Sequence, residues 1–110
     1  MSNYGPASVY TATTSDAAAS SGLTFHLLVH KVVLYNLTPA TVASSVLIYN
    51  STTASAPLKI ALNTELATTL IATQYIDADF DPPVEFDSDG LSTTLAGSSG
   101  TTVKIYYTRA

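Results

Sequence analysis

The chain contains no cysteine. Disulfide scaffolds, thiolate metal sites and cysteine nucleophiles are therefore excluded. Charge is scarce as well. Four Lys plus Arg stand against eight Asp plus Glu, 11% of 110 residues, for a formal net charge of −4. So few bases give no electrostatic footprint for nucleic acid. Long apolar runs are also missing. The longest apolar-rich stretch, Leu23 to Leu37, is interrupted by His26, His30, Lys31 and Asn36. It falls short of the roughly 20 apolar residues that a spanning helix needs, so no membrane partner is expected. Met1 to Tyr10 has neither the basic run nor the apolar core of a secretory signal, and none is expected.

What is present is hydrophobic residues at 46%, with thirteen serines and seventeen threonines. That is too apolar for overall disorder. The length is one domain's worth, enough for a single packed core.

Residues 1–22 read as an N-terminal arm and linker. Within it Ser8 to Thr14 can form one short extended segment. Ser15-Asp16-Ala17-Ala18-Ala19-Ser20-Ser21-Gly22 is small, polar and punctuated by glycine. Its three alanines favour helix, but the piece is too short to be stable alone.

Residues 23–110 read as a β domain. From Leu23 the period is two, and Val, Ile, Thr and Tyr dominate. The run through Leu37 is long for one strand, which predicts a bulge or bend near His30. Further strands are expected at Ser45 to Asn50, Leu58 to Leu62, Thr69 to Ile76, Leu91 to Leu95 and Thr101 to Thr108. Pro82-Pro83 removes two ladder donors and marks an edge or a bend. Val103, Ile105 and Tyr107 are expected to face inward, and Lys104 and Tyr106 outward. Seven to eight short strands with a turn signal about every ten residues predict an all-β protein. Its expected architecture is an antiparallel β-sandwich, jelly-roll or Ig-like, with a barrel as the alternative.

Candidate chemistry is sparse. Six of the eight acids lie between Asp77 and Asp89. Asp77, Asp79 and Asp81 have the spacing that opens a calcium loop. However, Pro82 replaces the glycine such a loop needs, and Ser88 stands at its twelfth position. Alternation accounts for the acids better: Asp77, Asp79 and Asp81 outward, Ile76, Ala78 and Phe80 inward. His26 and His30 share a strand face but lie about 13 Å apart along an extended chain, too far to share an ion. Among thirteen serines no Gly-x-Ser-x-Gly elbow occurs, and nothing places a pair of carboxylates for glycoside hydrolysis. No enzyme activity, metal or cofactor is expected. Asn36-Leu37-Thr38 and Asn50-Ser51-Thr52 match glycosylation acceptors but read as turn residues. Of seven tyrosines, Tyr35, Tyr49, Tyr75 and Tyr107 read as core or half-buried strand residues. Tyr4 and Tyr10 in the arm, with Val9, and Tyr106 on the outer face read as partner-binding anchors.

The strand and turn pattern resembles a known group. The residues that carry it are Val33-Leu34-Tyr35-Asn36-Leu37, Val46 to Thr52, Leu58-Lys59-Ile60-Ala61, Phe80 to Phe86, Gly90-Leu91 and Val103-Lys104-Ile105-Tyr106-Tyr107. Together they resemble small β-sandwich or jelly-roll structural proteins of tailed bacteriophages, including capsid decoration (cement) proteins. The resemblance implies a structural virion protein, made in the host cytoplasm, that binds the major capsid protein and braces the head. It also implies self-assembly, as a homotrimer. A carbohydrate-binding or host-attachment module of a head fibre or tail is the alternative. The arm lies outside the matched region. Its expected role, holding the particle by adding a strand to a sheet edge, comes from its own residues. On that reading its first fourteen residues are dispensable for folding.

Overall fold

A computed structural model describes residues 7–15, 22–37, 43–53, 55–64, 74–97 and 99–110. The described residues form seven strands and no helix. They are β1 (Ser8–Ala12), β2 (Leu27–Asn36), β3 (Ser45–Tyr49), β4 (Leu58–Asn63), β5 (Gln74–Phe86), β6 (Ser92–Ala96) and β7 (Thr102–Arg109). All pairings are antiparallel, in a four-stranded sheet of order β1-β7-β2-β5 and a three-stranded sheet of order β4-β3-β6. The protein is an all-β sandwich.

The pairings are nested. β3 pairs with β4, β2 with β5 outside them, and β1 with β7 outside those. Nesting of this kind brings the two ends of the chain together in one sheet. β6 joins the small sheet beside β3. Its other edge is met by Ser15, whose hydroxyl accepts from the Leu95 amide at 2.8 Å.

The core lies between the sheets. Val29, Val32, Leu34, Val103, Ile105 and Phe86 come from the large sheet, Val46, Ile48 and Ile60 from the small one, and Leu23 and Leu91 from the connections. Each fully buried aliphatic or aromatic side chain is worth about 1.5–3 kcal/mol over leaving it exposed. The inward set expected for β7 is observed: Val103 and Ile105 are fully buried and Tyr107 packs against the core.

The long second strand does contain an irregularity, at His30. Between Val29 and Lys31 the register slips against both neighbours. Val29 faces Tyr107 and Lys31 faces Tyr106, so two steps on β2 match one on β7. The extra residue reverses the parity of β2. Leu27 and Val29 point inward before it, and Val32, Leu34 and Asn36 after it. Pro82 and Pro83 lie in β5, an edge strand, opposite this irregularity and outside the paired register. A residue with no amide hydrogen is tolerated there because the ladder asks nothing of it.

The segment read as an arm needs a correction. Ser8–Ala12 is seated on its own chain as the edge strand β1, with Ser8 facing Tyr107 and Ala12 facing Val103. Ala12 belongs to the core, and Tyr10 packs against it. The strand-forming residues of that segment complete the edge that β7 would otherwise leave open. The expected turn at Thr38 to Thr41, most of the stretch Thr69 to Ile76, and Tyr4 lie outside the described residues.

Candidate functional site

The face of the large sheet turned away from the core carries an unusual set of residues. The irregularity at His30 sends Lys31, Val33 and Tyr35 outward. Three cross-strand rows result, read from β1 through β7 and β2 to β5. The first is Val9, Tyr106, Lys31, Asp79. The second is Thr11, Lys104, Val33, Asp77. The third, from β7 onward, is Thr102, Tyr35, Tyr75.

The rings of Tyr35 and Tyr75 are 6.5 Å apart and tilted by 35°. Lys104 Nζ stands 5.9 Å from the centre of the Tyr35 ring, and Lys31 Nζ 5.7 Å from that of Tyr106. These are cation–π contacts at the outer end of the useful range. Lys31 also donates to the Asp77 carboxylate at 3.0 Å. That hydrogen bond raises the Lys31 pKa above the ordinary lysine value, helped by the charges of Asp77 and Asp79. Lys31, Val33, Tyr35, Leu37, Tyr75, Lys104 and Tyr106 line a shallow open depression of about 360 Å³. Two of its lining residues stand open to solvent, Tyr75 at 58% and Leu37 at 65%, and Val9, on the same face outside the depression, is 48% exposed. Tyr75, Leu37 and Val9 are thus exposed on one face, with Tyr35 and Tyr106 half-buried beside them and Val33 buried between them.

The anchors expected from sequence are divided by this geometry. Val9 and Tyr106 sit side by side on the outer face. Tyr10 turns inward, because it faces Ile105 across the ladder. Tyr75, expected to be core or half-buried, is exposed. Tyr35, Tyr75, Val33 and the two lysines escaped the sequence reading as site residues. A signal was present for Tyr75, which shares its parity with Asp77 and Asp79. Tyr35 required knowing which way the irregularity at His30 turns the strand.

The other candidates resolve as structural groups. Asp77, Asp79 and Asp81 point outward and Ile76, Ala78 and Phe80 are half-buried, as alternation predicts. No group of three or more His, Cys, Asp or Glu able to hold a metal occurs among the described residues. Asp87 accepts from the Asp89 amide at 2.8 Å and closes the turn at Gly90. His26 pairs with Glu85 at 2.7 Å, and His30 bonds to the Thr108 hydroxyl at 2.8 Å. Both asparagines of the glycosylation-like triplets are buried. Asn36 donates to the Thr101 hydroxyl at 3.1 Å and Asn50 to the Gly90 carbonyl at 2.9 Å. Their amide nitrogens are engaged in the fold; Asn50 lies in the bend after β3, whereas Asn36, read as a turn residue, is the last residue of β2. No family model matches the chain, and no curated protein matches it in sequence.

Proposed function

We propose that the chain is a structural protein of a virion, of the capsid-decoration type, which braces the head through protein contacts. The observation that carries this reading is the outer face of the large sheet. Tyr35, Tyr75, Tyr106 and Leu37 form one apolar surface over the buried Val33, with two lysines and two aspartates set into it. Such a mixture suits a protein neighbour, for which tyrosine is a favoured anchor. The resemblance of the strand and turn pattern to phage structural proteins supplies the setting. The partners are the major capsid protein and further copies of the chain, rather than nucleic acid or membrane. No catalytic step and no cofactor enters this role.

The β1 edge is a second contact of this role. Its short Ser/Thr-rich strand can accept a neighbour's strand by main-chain hydrogen bonding. The test is localisation. Purified particles carrying a tagged chain, imaged by electron microscopy, are expected to show it on the head surface. Its absence from the head overturns the reading. Carbohydrate binding ranks second, favoured by the exposed Tyr75 ring beside Tyr35. The 35° tilt between the rings makes a poor platform for a flat sugar chain. A glycan array with reproducible hits, joined to absence from the head, would reverse the order.

A further inference from the structure

We infer that the outer face of the large sheet pairs with the same face of a second copy, about a two-fold axis running along β2. The inference rests on the reading of this face as an assembly contact and commits it to one occupant. The argument is charge complementarity. Within the three cross-strand rows, the β7 side of β2 carries Lys104 and no acid, and the β5 side carries Asp77 and Asp79 and no base. Lys31 lies on β2 itself. Lys31 donates to Asp77 Oδ2 of its own copy at 3.0 Å, so Lys104 of the second copy adds to the other carboxylate oxygen. The face still carries one sign to each side of β2.

The rows fix which residues meet. Lys104 and Asp77 lie level, on opposite sides of Val33. Rotation by 180° about an axis along β2 lays β7 of one copy over β5 of the other. Lys104 then stands over Asp77 of the second copy, and the reciprocal pair forms at the same level. Tyr106 and Asp79 flank Lys31 in the same way, so the Tyr106 hydroxyl meets the Asp79 carboxylate of the second copy. Tyr35 and Lys31, both on β2 beside the axis, face their own counterparts. Each Lys31 is drawn toward Asp77 of its own copy at 3.0 Å, which turns the two ammonium groups away from each other. A two-fold contact repeats each pair twice and closes on itself. Rotation about an axis across the strands keeps β7 over β7 and forms none of these pairs. Stacked sheets sit about 10 Å apart, within reach of a lysine from one side and an aspartate from the other.

The size of the face sets the strength. Four strands spaced by about 4.8 Å and three rows deep give about 400 Å² per copy. A standard interface covers roughly 800 Å² on each side. The pairing is therefore weak in dilute solution and becomes significant where copies are concentrated on a surface.

Sedimentation equilibrium of the purified full chain, from 10 µM to 1 mM at low salt, tests the inference without any particle. A monomer–dimer equilibrium with a dissociation constant between about 10 and 500 µM is expected, weakening as salt is added. Lys104→Glu places like charges over Asp77 twice and is expected to weaken association at least tenfold. Asp77→Lys does the same from the other side. Mixing the two variants restores both pairs in a heterodimer, so association should return in the mixture alone. A chain that stays monomeric at 1 mM, a trimer, an undiminished Lys104→Glu dimer or a mixture without recovery overturns the inference. Lys104 lies on the outer face, away from the core, so that variant keeps the test decisive even if Asp77→Lys fails to fold. A monomer found on particle heads would leave the functional reading standing. A dimer absent from particles would leave only the pairing.

Discussion

Gly97 and Gly22 show how much a single backbone position can demand. Both have positive φ, 143° and 75°. A side chain at Gly22 would meet nothing within 4 Å, so Gly22→Ala carries only the cost of the left-handed backbone, about 1 kcal/mol. At Gly97 an added Cβ would lie 2.5 Å from the Thr101 hydroxyl and 3.1 Å from Ser44 Cα. The hydroxyl can turn away only by leaving Asn36 and Ser44, to which it is bonded. Gly97→Ala should therefore cost about 2–4 kcal/mol, as strain and a broken buried network add to the backbone term. Urea denaturation of the two variants checks this, and equal losses would show that the contact at Gly97 relaxes freely. In the sequence Gly22 only punctuates a small, polar stretch, and Gly97 lies in a Gly/Ser-rich stretch between two expected strands. The difference between them was illegible, because it depends on how the turn folds Thr101 back over Gly97 and on Ser44, distant in sequence, packing against both. The buried asparagines were partly legible. Their place beside turns suggested a local role, while their long-range partners, Thr101 for Asn36 and Gly90 for Asn50, could not be read.

Elements with a strong local pattern were legible, and those whose pattern is split between partners were not. The length of β2 implied an irregularity, and His30 supplies it. The paired prolines of β5 implied an edge, and β5 lies at one. β1 shows the limit. Only Tyr10 and Ala12 of its five residues turn toward the core, and Ala12 is too small to mark a strand by hydrophobicity. With Ser and Thr on either side the segment reads as an extended piece of an arm, not as a strand of the domain. Its seat on β7 makes a definite difference to truncation. Removing residues 1–14 takes away the β1 ladder, exposes the core beside Val103 and leaves β7 as a bare edge. The truncated chain should lose about 2–5 kcal/mol of stability, from lost apolar burial and ladder hydrogen bonds. That is a large share of the roughly 5–15 kcal/mol that holds a domain folded. A lower urea midpoint, with an increased tendency to aggregate through the opened edge, is the expected result. An unchanged midpoint would restore the segment to the status of a passive arm.

At the scale of the whole molecule, period-two patterning and regular turns were enough for an all-β sandwich. They were not enough for its nesting. The pairing of Ser8 with Tyr107 joins opposite ends of the chain and leaves no local trace in either segment. Charge is distributed at this scale too. Asp77, Asp79, Asp81 and Glu85 all lie on β5, at one edge of the large sheet. Acids and prolines along an exposed edge oppose the addition of another strand, so this edge is guarded while β1 forms the other. The same acids invite a calcium-site reading, which their placement along the strand opposes. They alternate outward along an extended strand. Lys31 already neutralises Asp77, and the Asp87 side chain closes its own turn. A calcium ion needs six to eight oxygens converging on one point, whereas next-but-one residues on a strand stand about 7 Å apart. An ion that bound only the folded chain would have to stabilise it, by about 2.7 kcal/mol at a hundred times its dissociation constant. The thermal midpoint should therefore agree within error in millimolar calcium and in millimolar chelator at constant ionic strength. A rise of several degrees with calcium, unmatched by magnesium, would mean that these carboxylates gather around an ion instead of standing apart along the edge.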